Sequence, residues 1–318
     1  MRPGTQQAFI DVAQRLSSHL PGGWDRRLRE LGKIALNYRG SRHHALRHVQ
    51  YQLVRQRTRL LVTPFGPGEI VIDATDDEVG RTVFLTGGYE REHMAAAVRH
   101  LGYAGHPPAG RVFVDVGANI GTSTLDALLQ FGFGHAVCFE PDPHNARLLR
   151  MSALLNDLGD RVAIHQVAVS DEDGTAVLHR SLRNSGDHRI ASAAANGSGE
   201  KQAVLCRRLD AFVEVGALDP DAVGLVWIDT QGHEPHVLRG AGSLLAAGVP
   251  VVVEYCPWVL LDGAAHLEEL IARHFTRVVD LRRAASGDDD AAGLAPADVR
   301  PLRDRYARRG YTDLLLMP

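Results

Sequence analysis

The sequence predicts an α/β fold in which helices cover both faces of a doubly wound, mostly parallel sheet. From residue 111 onward, short apolar runs alternate with stretches of helical periodicity, as expected when helices join parallel strands. The first run, Val112 to Val116, breaks at Gly117, and a helical pattern resumes after Gly121. A buried strand, a glycine turn and a helix in that order open a nucleotide-binding unit, because glycines let backbone approach a ligand and the helix N-terminus presents free N–H groups.

The composition is that of an ordinary globular protein with one large domain and an appendage. The chain has 318 residues, of which 45% are hydrophobic and 23% charged. It contains no apolar run of 18 residues and no secretory h-region at its N-terminus, so we expect no membrane span and a cytoplasmic location. Cys138, Cys206 and Cys256 lie in or beside apolar runs without metal-ligand spacing. They predict buried, reduced thiols and no metal site.

Three parts are expected: a basic helical extension at 1–58, a small β and helix lead-in at 59–105, and the ligand-binding domain at 106–318. Helices are predicted in the extension at 5–20, 24–36 and 43–57. Its excess of Arg and Lys is compatible with nucleic acid, a membrane surface, a carrier protein or the acidic face of its own domain. Because no nucleic-acid motif accompanies it, we expect no nucleic-acid partner. The extension's helices are a candidate contact for a homo-oligomer.

In the lead-in, the runs that begin at Leu60, Glu69 and Thr82 have the pattern of short strands between Gly, Pro and Asp turns. A turn at 87–90 and a helix at 92–101 follow. Strands of the main sheet are then expected near 111–116, 135–140, 161–168, 224–229, 249–254, 276–280 and 311–316. Helices are expected near 121–131, 143–157, 207–215, 234–247 and 262–274. Further β segments at 175–179 and 202–206 flank a Ser/Gly/Asn-rich stretch at 181–200, which is either a mobile loop or a lid over substrate.

The loop after the first strand is not a phosphate-binding loop. A dinucleotide fingerprint would need glycine at 117, 119 and 122, whereas the chain has Gly117, Asn119 and Thr122. Asp115 beside the loop disfavours a pyrophosphate and favours a cationic ligand. S-adenosylmethionine meets this condition, since it carries an ammonium and a sulfonium and no phosphate. Glu140, at the end of the second apolar run, is placed to accept hydrogen bonds from its ribose hydroxyls.

Five motifs in order resemble those of the FkbM-type methyltransferases over roughly residues 80–256. They are Val114-Asp-Val-Gly-Ala-Asn-Ile-Gly121, Phe139-Glu-Pro-Asp-Pro143, Ala168-Val-Ser-Asp171 with Gly174, Leu209-Asp210, and Trp227-Ile-Asp-Thr-Gln-Gly-His-Glu234 with Val237-Leu-Arg-Gly240. The resemblance implies a class I methyltransferase (Rossmann-like) fold with a seven-stranded sheet and S-adenosylmethionine as methyl donor. It also implies O-methylation of a small-molecule or glycan hydroxyl, on a sugar, glycolipid, polysaccharide or natural product.

The expected cofactor-binding residues are Glu90, Asp115, Gly117, Asn119, Gly121, Glu140, Pro141, Ser170, Asp171 and Asp229. Asp115 is expected at the cofactor's amino group, with a strand-end cap as its alternative. Ser170 and Asp171 follow the third strand, where the resemblance places the adenine, although a plain turn is an equal alternative. Glu90 is a candidate for the methionine end. A second ribose contact from Asp142 competes with a role in forming the turn.

The expected catalytic residues, Asp229, His233 and Glu234, follow the fourth strand, where ligands sit in open α/β sheets. Many relatives have Asp-Val-Glu-Gly-x-Glu here, whereas this chain has Gln231 in place of the first Glu. His233 is a candidate replacement base, because an imidazole titrates near neutral pH. Equally, His233 and Glu234 fit an exposed first helical turn. Expected substrate-binding residues are Asp187, His188, Arg189 and Glu254.

Two other functions remain open from the sequence. Gln231 removes a potential base, which is compatible with a catalytically silent binding protein of the same fold. A nicotinamide-dependent oxidoreductase on a similar sheet is the second alternative.

Overall fold

The computed structural model describes residues 42–181, 184–190, 200–261, 263–288, 291–307 and 310–318. The predicted helices at 5–20 and 24–36, and with them most of the basic extension, lie outside these ranges. The strands are β1 (Leu60–Phe65), β2 (Gly68–Asp73), β3 (Val112–Val116), β4 (His135–Phe139), β5 (Val162–His165), β6 (Ala168–Val169), β7 (Gly174–Arg180), β8 (Arg189–Ile190), β9 (Glu200–Arg207), β10 (Val223–Ile228), β11 (Val251–Tyr255), β12 (Arg277–Asp280), β13 (Ala292–Leu294) and β14 (Thr312–Met317). The helices are α1 (Arg42–Val54), α2 (Val79–Thr86), α3 (Arg91–Tyr103), α4 (Thr122–Leu129), α5 (Pro143–Leu155), α6 (Leu209–Glu214), α7 (Glu234–Arg239), α8 (Gly242–Ala246), α9 (Pro257–Leu260), α10 (Gly263–His274), α11 (Leu281–Ala285) and α12 (Leu302–Tyr306).

The main sheet has eight strands in the order β13-β12-β14-β11-β10-β3-β4-β5. The run from β11 to β5 is parallel, and β14 lies antiparallel to β11 and β12. The doubly wound, mostly parallel arrangement is therefore confirmed. The expected count of seven is wrong, because the short strand β13 pairs with the edge of β12.

The central strands are apolar runs because both faces of the sheet are covered. Every residue of β10 is buried. Successive side chains point to opposite faces, so Phe113 and Leu225 belong to one core cluster and Val114 and Val226 to the other. The carboxyl ends of β3, β4, β10 and β11 meet at one edge, which is where the site forms.

The lead-in forms a unit with the end of the extension. Strands β1 and β2 form the expected hairpin, but the run at Thr82 is not a strand. It lies in α2, where Val79 and Val83 are buried one helical turn apart and Gly87 ends the helix in the left-handed conformation. A short apolar run does not by itself distinguish a strand from a buried helix. The hydroxyl of Tyr51 in α1 donates to the backbone oxygens of Ala74 and Asp76.

A second sheet, in the order β6-β9-β7-β8, confirms the predicted extra β segments. The helix expected at 234–247 is instead two helices, α7 and α8. They separate at Gly240, where a Cβ would lie 2.1 Å from the backbone oxygen of Ser170.

The three cysteines are buried and form no disulfide. Within the described ranges, no helix has both the length and the apolarity to cross a membrane.

Candidate active site

The loop between β3 and α4 is held in a conformation that its sequence requires. Gly117, Asn119 and Gly121 have φ values of +85°, +49° and +94°, in the left-handed region that Gly and Asn tolerate best. A Cβ at Gly117 would lie 2.0 Å from the backbone oxygen of Asp229. The backbone N–H of Gly117 donates to the Phe139 oxygen at 2.9 Å. The loop is thereby anchored to the ends of both neighbouring strands.

Glu140, which directly follows β4, is hydrogen-bonded to this loop. Its Oε2 accepts a hydrogen bond from the Asn119 backbone N–H and its Oε1 one from that of Asp142, both at 2.8 Å. The side chain is only 4% exposed, and burial raises the pKa of its carboxyl to about 8. Each oxygen keeps a lone pair for a further donor. The buried Oδ1 of Asn119 has no hydrogen-bond partner in the described structure.

Asp115 lies inside β3, so it does not cap the strand end. Its Oδ2 accepts a hydrogen bond from the hydroxyl of Thr124 in α4 at 2.5 Å. Burial raises the pKa of the Asp115 carboxyl to about 7.

Asp142 is the N-cap of α5, where its Oδ1 accepts from the backbone N–H groups of His144 and Asn145 at 2.9 Å. This cap is the turn-forming role considered for Asp142.

Two cavities meet at the loop. The larger has a volume of about 330 Å³ and the smaller about 60 Å³. Both are lined by Gly117, Asn119, Gly186, Asp229 and Gln231. Of the residues predicted from the sequence, the larger also contains Glu90, Asp115, Asp187, Arg189 and Glu254, and the smaller contains Glu140, Pro141, His188 and His233.

The larger cavity is strongly acidic. Among the described residues that line it, seven carry carboxyl groups and Arg189 carries the single guanidinium. Burial and the charges of Glu90 and Asp313 raise the pKa of Asp229 well above its usual range. Burial and the charge of Asp229 do the same for Glu254. Burial, followed by Asp313, raises the pKa of Glu90 to about 7. Such a cavity favours a cationic ligand.

Gln231 joins two of these acids. Its Nε2 donates to Oδ1 of Asp229 at 2.8 Å and to Oε2 of Glu254 at 3.0 Å. In the sequence, Gln231 registers only as the loss of an acid. In the structure it is a bridge between two strand ends.

Glu234 is a structural residue of the same turn. It is 1% exposed and lines neither cavity. Its carboxylate accepts from the backbone N–H groups of Thr230 at 2.9 Å and Gly232 at 3.0 Å, and from the Thr230 hydroxyl at 3.1 Å. These contacts speak against the catalytic role expected for it.

His233 lines the smaller cavity and not the larger one. Its Nε2 lies 2.9 Å from the Ser170 hydroxyl, and its ring stacks on His236 with centroids 4.3 Å apart. Burial and the neighbouring His236 lower the pKa of His233 to about 4, so the ring is neutral at pH 7. Asp171 is bound by Arg239 at 2.9 Å. Ser170 and Asp171 do not line the smaller cavity, whereas Ala168 and Val169 do.

The three substrate-binding candidates in the Ser/Gly-rich segment line two different cavities. Asp187 and Arg189 line the larger cavity, and Nε of Arg189 donates to Oδ1 of Asp187 at 2.7 Å. His188 faces the smaller cavity, with its Nε2 3.9 Å from Oδ2 of Asp142. The trio expected in one substrate site is therefore divided between two.

The sequence missed a group of side chains with metal-binding chemistry. Ligand atoms of Glu90, His93 and Asp313 lie within 4.8 Å of one another, where we expected no such cluster. His93 Nδ1 is 2.7 Å from Asp313 Oδ2, and the Tyr311 hydroxyl donates to Glu90. Each member already has a protein partner. No local signal could join residues 220 positions apart. The aromatic lining of the larger cavity was also missed; it consists of Tyr89, Trp227, Trp258 and Tyr311.

Sequence comparison matches residues 115–274, half of the chain, to the family described as Methyltransferase FkbM domain. The chain is also similar to the 2-O-methyltransferase NoeI of Sinorhizobium fredii (strain NBRC 101917 / NGR234). The two are 28% identical over 197 residues, which cover 56% of this chain and 77% of that protein.

Solved structures with loosely similar coordinates include TYW2 of P. horikoshii in complex with MeSAdo. It has a TM-score of 0.43 and 12% identity, over 97% of each chain. An O-methyltransferase from Bacillus cereus in complex with SAH has a TM-score of 0.37 and 11% identity, over 74% of this chain and 95% of that one. At these scores the similarity bears on neither the fold nor the function of this chain.

Proposed function

This chain belongs to the methyltransferase FkbM family, and we propose that it transfers the methyl group of S-adenosylmethionine to a hydroxyl of a sugar, glycolipid, polysaccharide or natural product. The observation that carries the proposal is the buried Glu140, set in a glycine-containing loop beside an acid-lined cavity. The acceptor class rests on the resemblance noted above and on the 2-O-methyltransferase named among the relatives.

The residues present fit this cofactor. The free lone pairs of Glu140 suit two ribose hydroxyls, and the unpartnered Asn119 Oδ1 suits a further donor. We place adenosine at the smaller cavity, between Glu140 and the apolar pair Ala168 and Val169. The cationic amino-acid end then lies toward Asp115 and Glu90. A volume of about 60 Å³ holds only a few water molecules. We therefore expect the lining of this cavity to shift when adenosine binds.

The bound cofactor supplies an electrophilic methyl group on a sulfonium. An alcohol is a poor nucleophile, so a base must take its proton as the new bond forms. We assign that base to Asp229, because it directly follows β10 and lines both cavities. Glu254, Asp187 and Arg189 are assigned to the acceptor's hydroxyls. The largest contribution to rate is expected from alignment of the acceptor oxygen with the methyl carbon.

Cofactor binding is expected to release protons. Burial holds the pKa values of Asp115, Glu140 and Glu90 near 7 to 8, so these carboxyls are partly protonated at neutral pH. A cationic ligand and ribose donors favour the ionised forms, so affinity should rise with pH between about 6 and 8. Titration calorimetry at pH 7 in buffers of different ionisation enthalpy measures this release. Uptake of protons, or none, would contradict the assignment.

His233→Ala is expected to weaken cofactor binding, roughly ten-fold, and to leave the turnover of the saturated enzyme largely unchanged. The ring lies in the cavity assigned to adenosine and is neutral at pH 7, so its loss removes about one hydrogen-bonding and packing contact. Steady-state kinetics with both substrates varied separate the two effects. His236→Ala serves as the control for the stacked partner. A large loss of turnover with unchanged cofactor affinity would restore His233 as the base.

The function is tested by transfer of isotopically labelled methyl from S-adenosylmethionine to a panel of oligosaccharides, glycolipids and hydroxylated natural products. We expect label in an ether that survives mild alkali, which an ester would not. Tight cofactor binding without transfer to any acceptor would favour the catalytically silent binding protein. Enhanced NADH fluorescence on mixing with the protein would favour the oxidoreductase.

A further inference from the structure

Gln231 has a backbone conformation that a non-glycine residue seldom adopts. Its φ is +52°, and that of Gly232, which follows it, is +99°. The turn is wound around the buried carboxylate of Glu234, which accepts the backbone N–H groups of Thr230 and Gly232. Left-handed backbone at a non-glycine residue is unfavourable and persists where the surroundings hold it. Here the held conformation places an amide between two carboxylates.

The two carboxylates come from neighbouring parallel strands. Asp229 follows β10, Glu254 lies near the end of β11, and both line the larger cavity. The Gln231 Nε2 has two hydrogens, which match the two acceptors at 2.8 and 3.0 Å. Both contacts are to carboxyl oxygens, so the contacting atom is assigned as the nitrogen, which leaves the amide oxygen for another donor.

We propose that Gln231 is a positioning residue that gives one N–H to each of Asp229 and Glu254 and so orients Asp229 as the acceptor of the substrate hydroxyl's proton. This inference rests on the proposed methyl transfer. It assigns to Gln231 a task that a carboxylate at this position could not perform when ionised, since it would offer no donor.

The surroundings make such a donor necessary. Titratable or charged groups that face the pair are Tyr89, Glu90, Asp115, Arg189, Glu234 and Asp313. Most of them are acidic, and close carboxylates without a donor between them tend to share one proton. A hydrogen bond to the ionised form opposes this tendency. Gln231 lowers the pKa of Asp229 relative to what burial alone would produce.

The kinetic test compares Gln231→Met, which keeps the length but has no donor, with Gln202→Met on β9 as the matched control. For Gln231→Met we expect the acid limb of the kcat profile to move up by about one pH unit, the scale of one hydrogen bond to a charged group. At pH 7, kcat should fall about ten-fold while cofactor affinity stays within two-fold. Gln231→Glu should move the limb at least as far in the same direction.

A wild-type pH profile and kcat in Gln231→Met would overturn the proposal. Weaker cofactor binding with an unchanged kcat would also overturn it, because Gln231 would then contact the cofactor and would not position Asp229. Infrared difference titration of the protein alone separates this proposal from the proposed function. The carboxylic C=O band that Asp229→Asn removes should titrate at higher pH in Gln231→Met than in wild type. An unmoved band would overturn the positioning role even in an active enzyme, and a moved band would support it even if no acceptor is methylated.

Discussion

Asp229→Asn is expected to lower kcat by about 10²–10⁴-fold, the usual contribution of a positioned general base. The substitution keeps the size of the side chain and an oxygen that can still accept the N–H of Gln231. It removes the proton acceptor that we place beside the methyl group. Cofactor affinity should change less than ten-fold, because Asp229 contributes one of several carboxylates to the cavity. Single-turnover kinetics and titration calorimetry measure the two quantities separately.

The matched control is Glu254→Gln, because Glu254 lines the same cavity and also accepts a hydrogen bond from Gln231. We expect it to raise the KM for the acceptor and to lower kcat by less than Asp229→Asn does. If Glu254→Gln removes turnover while Asp229→Asn leaves most of it, the base is Glu254 and the assignment of Asp229 is wrong.

Glu140→Ala is expected to weaken S-adenosylmethionine binding by about 10²-fold. The carboxylate is the proposed acceptor for two ribose hydroxyls, and hydrogen bonds to charged groups contribute about 1.5–3 kcal/mol each. It also accepts two backbone N–H groups of the cofactor loop, so the variant should lose about 1–3 kcal/mol of stability as well. Calorimetry gives the affinity and denaturant unfolding gives the stability.

Glu140→Gln separates the two effects, because its amide oxygen still accepts one backbone N–H. We expect it to recover most of the stability and only part of the affinity. Glu214→Gln, at an exposed position on α6, controls for the change of charge. Unchanged cofactor affinity in Glu140→Ala would contradict the assignment of Glu140 to the ribose hydroxyls.

Local features of the sequence were sufficient for the parallel strands of the sheet and for the glycine turn after β3. Buried parallel strands are continuous apolar runs, and the turn after β3 needs Gly117 because any Cβ there would collide with Asp229 backbone. Glu140 follows the next strand, so its position is also a local feature. The strand predicted at Thr82 was wrong because a run of three apolar residues fits a helix face as well as a strand.

The division of the site between two cavities was decided only in three dimensions. His233 and Glu234 follow Asp229 within five residues, yet the turn directs His233 to the smaller cavity and uses Glu234 to hold its own backbone. Side-chain direction in such a turn depends on left-handed backbone at Gln231 and Gly232, which spacing does not encode.

The proximity of Glu90 and Asp313 likewise could not be predicted without the complete fold. Glu90 precedes α3 and Asp313 lies on β14, and they become neighbours only because β14 inserts antiparallel between β11 and β12. The sequence alone established the strand, the glycine turn and the acid that we propose for the cofactor, because each depends on residues close together in the chain. The tertiary structure alone decided which carboxylates face one another, because their interaction depends on distance through space and on shared burial.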